Sequence, residues 1–129
     1  MSIYGHYNQQ YDGNRIEFPE QSFTIAGISR YEANCKDITY NTMLFMNPDP
    51  ANVYDSTAIE IRWGDKLTGY VPNTGNKKIK EMCQKCINEP LKIINIGNRP
   101  YGIRVIPLSY YEENSLLENE IMFADMNQT

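Results

Sequence analysis

One stretch of this chain has a clear helical period, and it sits late, among segments that alternate like strands. Between Asn73 and Asn88, the residues Ile79, Met82, Cys83, Cys86 and Ile87 recur at i, i+3, i+4, i+7 and i+8. That spacing makes one apolar stripe. Lys77, Lys78, Lys80, Gln84 and Lys85 lie mainly off the stripe and read as a solvated face. Asn73, Thr74 or Asn76 can cap the start, and Pro90 stops the helix.

The rest of the patterned chain reads as short strands. Ser22–Arg30 alternates β-compatible residues, which predicts a first strand with Ile25 and Ile28 on opposite faces. Thr42–Met46 is a second, ended by the breaker cluster Asn47-Pro48-Asp49-Pro50. Ala58–Trp63 sets Ile59, Ile61 and Trp63 against Ala58, Glu60 and Arg62, and Gly64-Asp65 turns it into Leu67–Val71. Leu91–Ile96 and Tyr101–Leu108 follow the helix, joined across Gly97-Asn98-Arg99-Pro100. Ser115 with Glu118 three residues on forms a capping box for a short acidic helix to about Phe123. The expected fold is mainly β with one or two helices. It is a small OB-like or SH3-like antiparallel barrel, with a helix between the fourth and fifth strands plugging one end. Three segments follow: an irregular lead-in at 1–22, a barrel at 23–108, and an acidic segment at 109–129.

Composition limits the function classes. At 129 residues with 41% hydrophobic content, the chain suits one domain with one core. No apolar run approaches the roughly 18 residues of a membrane span. Met1–Gln10 is polar and lacks a signal core. Cys35, Cys83 and Cys86 make an odd count, which suits free thiols in a reducing, cytoplasmic setting. The net charge of −4 speaks against a simple basic nucleic-acid binder. Its distribution changes that reading. Residues 109–129 carry −5 and residues 1–22 carry −2, while 23–108 holds eleven basic and eight acidic residues, for +3.

The densest local signal runs Asn52-Val53-Tyr54-Asp55-Ser56-Thr57-Ala58-Ile59, then Gly64-Asp65-Lys66-Leu67-Thr68-Gly69-Tyr70-Val71-Pro72. It resembles the HIRAN domain family, with its Asn-Pro-Tyr-Asp-x-Asn-Ala-Ile stretch and its later Gly-Tyr/His-hydrophobic-Pro stretch. Gly27–Tyr31 is similar to the end of that family's first strand. The resemblance implies an OB-like barrel that binds single-stranded DNA at a free 3′ end. It implies that Tyr54 stacks on the terminal base and that Asp55 accepts a hydrogen bond from the 3′-hydroxyl. Thr68 and Gly69 match a backbone stretch that approaches the nucleotide, and Tyr101 matches a late aromatic near the DNA. The family can carry an Arg-aromatic pair at the end of its first strand, where the register here gives Ser29 then Arg30, with Tyr31 next; Arg30 and Tyr31 are the candidates there. Pro72 stands where a phosphate-binding Lys can occur. Arg30, Lys66, Lys77 and Lys78 are the candidate phosphate cations. The implied partners are a single-stranded DNA end and an accompanying ATPase or nuclease, with no membrane.

Each reading has a structural counterpart. Tyr54-Asp55 can build a turn whose carboxylate bonds backbone amides. Tyr31, Tyr70 and Tyr101 can be half-buried barrel aromatics. Cys83-x-x-Cys86 has zinc or redox spacing, but both sulfurs fall in the apolar stripe and no second pair exists, so buried structural cysteines are expected. His6 is the one histidine, and there is no Walker loop, Gly-x-Gly-x-x-Gly or paired-carboxylate signature. The expectation is a non-enzyme without metal or cofactor. The rival reading is a protein-interaction module on the same fold, with the acidic C-terminal segment as a contact or a cover for the groove.

Overall fold

A computed structural model describes residues 18–73, 77–97 and 102–114. Six strands form one antiparallel sheet: β1 (Phe23–Thr24), β2 (Met43–Pro48), β3 (Ile59–Trp63), β4 (Lys66–Tyr70), β5 (Pro90–Ile96) and β6 (Ile103–Pro107). Their order across the sheet is β1-β6-β5-β2-β3-β4. The outermost strands then meet. Ile25 donates its amide to the Ile103 carbonyl at 2.9 Å, and Ala26 and Tyr70 exchange backbone hydrogen bonds at 2.8 and 2.9 Å. One short segment therefore bonds β6 on one side and β4 on the other, curling the sheet into a small OB-like barrel. Bulges between Ile61 and Arg62 and between Ile93 and Asn95 supply local bending.

The closure explains Gly69. A Cβ there would stand 2.6 Å from the Ala26 carbonyl oxygen and collide with the Ile25 side chain, and φ is +157°. Only glycine lets the two backbones meet. Beside it, Thr68 is fully buried, and its hydroxyl donates to the Ile61 carbonyl at 2.7 Å.

The expected first strand is much shorter than its alternation suggested. Extended pairing stops at Ala26 because Gly27 adopts a left-handed conformation, φ 75°. A 3₁₀ turn, Ile28–Tyr31, follows, then α1, Glu32–Cys35. Ile25 and Ile28 do not face opposite ways; both are buried in the same core. The second strand runs on to Pro48, through half of the breaker cluster, because Asn47 and Pro48 still register with Glu60 and Ile59. Pro48 is the last residue of the strand, where a missing amide costs least.

The helix between the fourth and fifth strands is α2, Lys77–Lys85. Cys83 and Cys86 enter the barrel core, with Ile79, Met82 and Ile87 packed against it. None of the three cysteines is in a disulfide. Burial, with the neighbouring Cys86, pushes the Cys83 thiol up to about 12. Residues 108–114 are helical, ahead of Ser115. The Ser115 capping box and the helix expected after it lie outside the described residues. Tyr110 and Tyr111 pack with Phe18 on Ile94 and Ile106, forming a second small cluster apart from the main core. Arg104 joins it, its guanidinium 4.5 Å from the Phe18 ring and donating to Ser22 Oγ at 2.9 Å. Among the described residues no helix is long and apolar enough to cross a membrane.

Candidate nucleic-acid interface

The loop between β2 and β3 is built around Asn52. Its side-chain oxygen accepts the amides of Tyr54 at 2.9 Å and Asp55 at 3.0 Å, and its Nδ2 donates to Asp49 at 3.2 Å. Asp49 donates its amide to the Ala58 carbonyl at 2.9 Å, and Ala58 donates to the Asp55 carbonyl at 3.0 Å. An asparagine bonded to two successive amides fixes a tight turn. Val53 and Tyr54 are thereby thrown outward, 86% and 95% exposed. A rigidly mounted, solvated aromatic is an unusual use of a large apolar ring and marks a contact surface.

Beside this loop lies an open groove of about 450 Å³. Three separate pieces of chain wall it. The 3₁₀ turn contributes Arg30 and Tyr31, the Asn52 loop contributes Tyr54 and Asp55, and the barrel seam contributes Tyr70. Gly27 sets the turn's direction and the Ala26–Tyr70 bridge holds it against β4. The Arg30 side chain is exposed and makes no hydrogen bond or ion pair among the described residues. Burial raises the Tyr70 hydroxyl above its ordinary value, helped by Tyr31 and Glu60, so it stays protonated and able to donate.

Asp55 is the most perturbed group of the groove. Its Oδ1 accepts the Thr57 amide at 2.8 Å and the Thr57 hydroxyl at 2.6 Å. Its Oδ2 pairs with Lys80 Nζ at 2.7 Å, and the same ammonium donates to Asn73 Oδ1 at 2.8 Å. The Lys80 and Thr57 hydrogen bonds lower the carboxyl to about 2. At neutral pH the group is an ionised acceptor.

The HIRAN domain family model matches residues 8–99. The chain belongs to the HIRAN domain family. HIRAN is a DNA-binding domain family. The match ends before β6, yet β6 pairs with both β1 and β5 and is integral to the sheet of this HIRAN chain. A crystal structure of a Lactobacillus plantarum protein is similar in fold, with a TM-score of 0.52 at 13% identity over 65% of this chain and 85% of that one. No curated protein matches the chain.

Set against the HIRAN resemblance, Arg30, Tyr31, Tyr54 and Asp55 come together on one groove. Thr68 and Gly69 do not join them. Both are buried, and the close approach that Gly69 permits is to Ile25 and Ala26 of the same chain. Tyr101 lies outside the described residues. Lys66 sits at the tip of the β3–β4 hairpin, 5.4 Å from the Trp63 ring, at the opposite end of β4 from Tyr70. Lys77 lines a neighbouring cavity of about 250 Å³ with Lys80 and Asn73.

The expected solvated face of α2 needs a correction at one position. The Lys80 side chain is only 12% exposed and reaches Asp55, 25 residues earlier. No local pattern could reveal this pair, because helical spacing says nothing about a loop on another element. Asn52 was legible as part of the motif, but its task of aiming Tyr54 was not. The described start of the acidic segment, 109–114, packs on the β5–β6 side and contributes nothing to the groove lining.

Proposed function

We propose that the groove receives the end of a single DNA strand, without catalysis, and presents it to a partner ATPase or nuclease. The terminal base stacks on Tyr54, and the 3′-hydroxyl donates to Asp55. The supporting observation is the convergence of an outward aromatic, an ionised carboxylate and the exposed cation Arg30 on one open groove. Each does a different part of the work. An aromatic face gains about 1–3 kcal/mol per stacked base, whatever the base. A carboxylate accepts but cannot donate, so it suits a hydroxyl terminus. Among the described residues Asp55 Oδ2 carries one hydrogen bond, which leaves room for a second. Arg30 supplies charge for the adjoining phosphate.

The test is equilibrium binding of the full chain to a short single strand ending in a 3′-hydroxyl, the same strand with a 3′-phosphate, and a blunt duplex. The hydroxyl-ended strand binds best. Tyr54→Ala weakens it by about 1–3 kcal/mol. Because Tyr54 is almost wholly exposed, the same change moves stability by no more than about 0.5 kcal/mol. Equal or absent binding to all three ligands would reject the reading. The adjacent Val53 gives the rival a foothold, since an exposed Val-Tyr pair also suits a protein ligand. A chain that ignores DNA but loses a protein partner with Tyr54→Ala supports that rival.

A further inference from the structure

We infer that Lys80 sets which chemical terminus the groove accepts. The inference rests on the end-binding reading above and concerns a residue outside the motif loop. A carboxylate alone would repel a terminal phosphate as strongly as it welcomes a hydroxyl. Here the carboxylate is not alone. Lys80 Nζ stands 2.7 Å from Asp55 Oδ2 and 2.8 Å from Asn73 Oδ1, so the end of the groove is an ion pair of no net charge. The wall is also thin. Asn73 lines both the groove and the 250 Å³ cavity behind it, and Lys80 and Lys77 line that second cavity. A 3′-phosphate at Asp55 meets the Lys80 ammonium bonded to it, with Lys77 and the Glu81 carboxylate further back in the second cavity. A 3′-hydroxyl stops at Asp55 and needs neither ammonium.

Lys80 therefore has two effects. It orients the Asp55 carboxylate for the hydroxyl. It also cancels much of the repulsion that would otherwise exclude a phosphate. The hydroxyl preference of the native chain is accordingly modest, and removing the Lys80 charge widens it. At a separation of about 6 Å and an effective dielectric constant of about 40, one unit charge changes phosphate binding roughly tenfold.

The experiment compares the affinity ratio for hydroxyl-ended and phosphate-ended strands in the native chain, Lys80→Gln and Lys80→Arg. Lys80→Gln raises the ratio about tenfold, mainly through weaker phosphate-end binding, while Lys80→Arg keeps the native ratio. A merely structural role would lower both affinities together and leave the ratio unmoved. An unchanged ratio in Lys80→Gln, with the hydroxyl end still bound, overturns this inference and leaves end binding standing. Failure of the native chain to bind either strand overturns end binding and the inference with it. If Lys80→Gln does not fold, Lys80→Met, which keeps the apolar stem without the charge, takes its place: a raised ratio supports the inference and a native ratio overturns it.

Discussion

Replacing Gly69 by alanine tests whether that glycine serves barrel closure rather than a ligand. Two costs add at this position. The backbone lies at φ +157°, where side chains are rarely found, and the new Cβ meets the Ala26 carbonyl oxygen at 2.6 Å together with the Ile25 side chain. Backbone strain of this kind costs about 1–3 kcal/mol. Forcing buried neighbours apart costs about 1–3 kcal/mol more. The stiffer unfolded chain returns only about 0.4–1 kcal/mol. The net loss is about 2–5 kcal/mol, or a fall in Tm on the order of 10 °C for a domain of this size. Gly64 is the control. It has φ +63°, and nothing lies within 4 Å of an added Cβ. Gly64→Ala pays strain alone and loses about 1 kcal/mol. Urea unfolding of the two variants separates clash from strain. Equal stabilities would refute the packing argument, and a native-like Gly69→Ala that had lost DNA binding would return Gly69 to the ligand.

Two further outcomes follow from the ionisable groups. Asp55 is held at about 2 when folded, below its ordinary 3.8. Its contribution to stability is complete above the unfolded value, near pH 4, and disappears as pH falls through about 2; carboxyl NMR of the native chain shows a titration near 2, and Lys80→Gln moves it upward. Cys83 is fully buried with its thiol pushed up to about 12, so a thiol reagent at pH 8 labels it only after denaturant unfolds the barrel, and rapid native labelling would contradict its place in the core.

The sequence announced those parts of the fold in which side chains reported their own environment. Ile59 and Ile61 alternate with Glu60 and Arg62, and the first pair is buried while the second is half-exposed, as a period of two requires. Ile79, Met82, Cys83, Cys86 and Ile87 likewise placed α2 on the core. The segment after β1 was misread because Phe23–Arg30 alternates well enough for a strand, while one positive φ at Gly27 ends the extended chain. Alternation records which residues are buried; it does not record a dihedral angle. The role of Gly69 at the seam was illegible for a related reason. A glycine signals close approach by something, but only the closure of the sheet shows that Ile25 and Ala26 do the approaching.

The groove follows from the same seam. A six-stranded sheet of this order would leave β1 and β4 as open edges, and the seam between Ala26 and Tyr70 joins them. The seam also brings a 3₁₀ turn from early in the chain beside a loop some two dozen residues later. Arg30 and Tyr31 thus face Tyr54 and Asp55 across Tyr70, although neither pair borders the other in sequence. Charge is sorted in the same way. The mildly basic stretch supplies both the groove's cation and the ammonium that neutralises its carboxylate, and the described part of the acidic C-terminal segment is held on Ile94 and Ile106. A whole-chain charge of −4 therefore says little about the charge around Tyr54. The local balance there, among the described residues, is one exposed arginine beside one neutral ion pair, which under the proposed function suits a ligand held by stacking at its end better than one held along its length by phosphates.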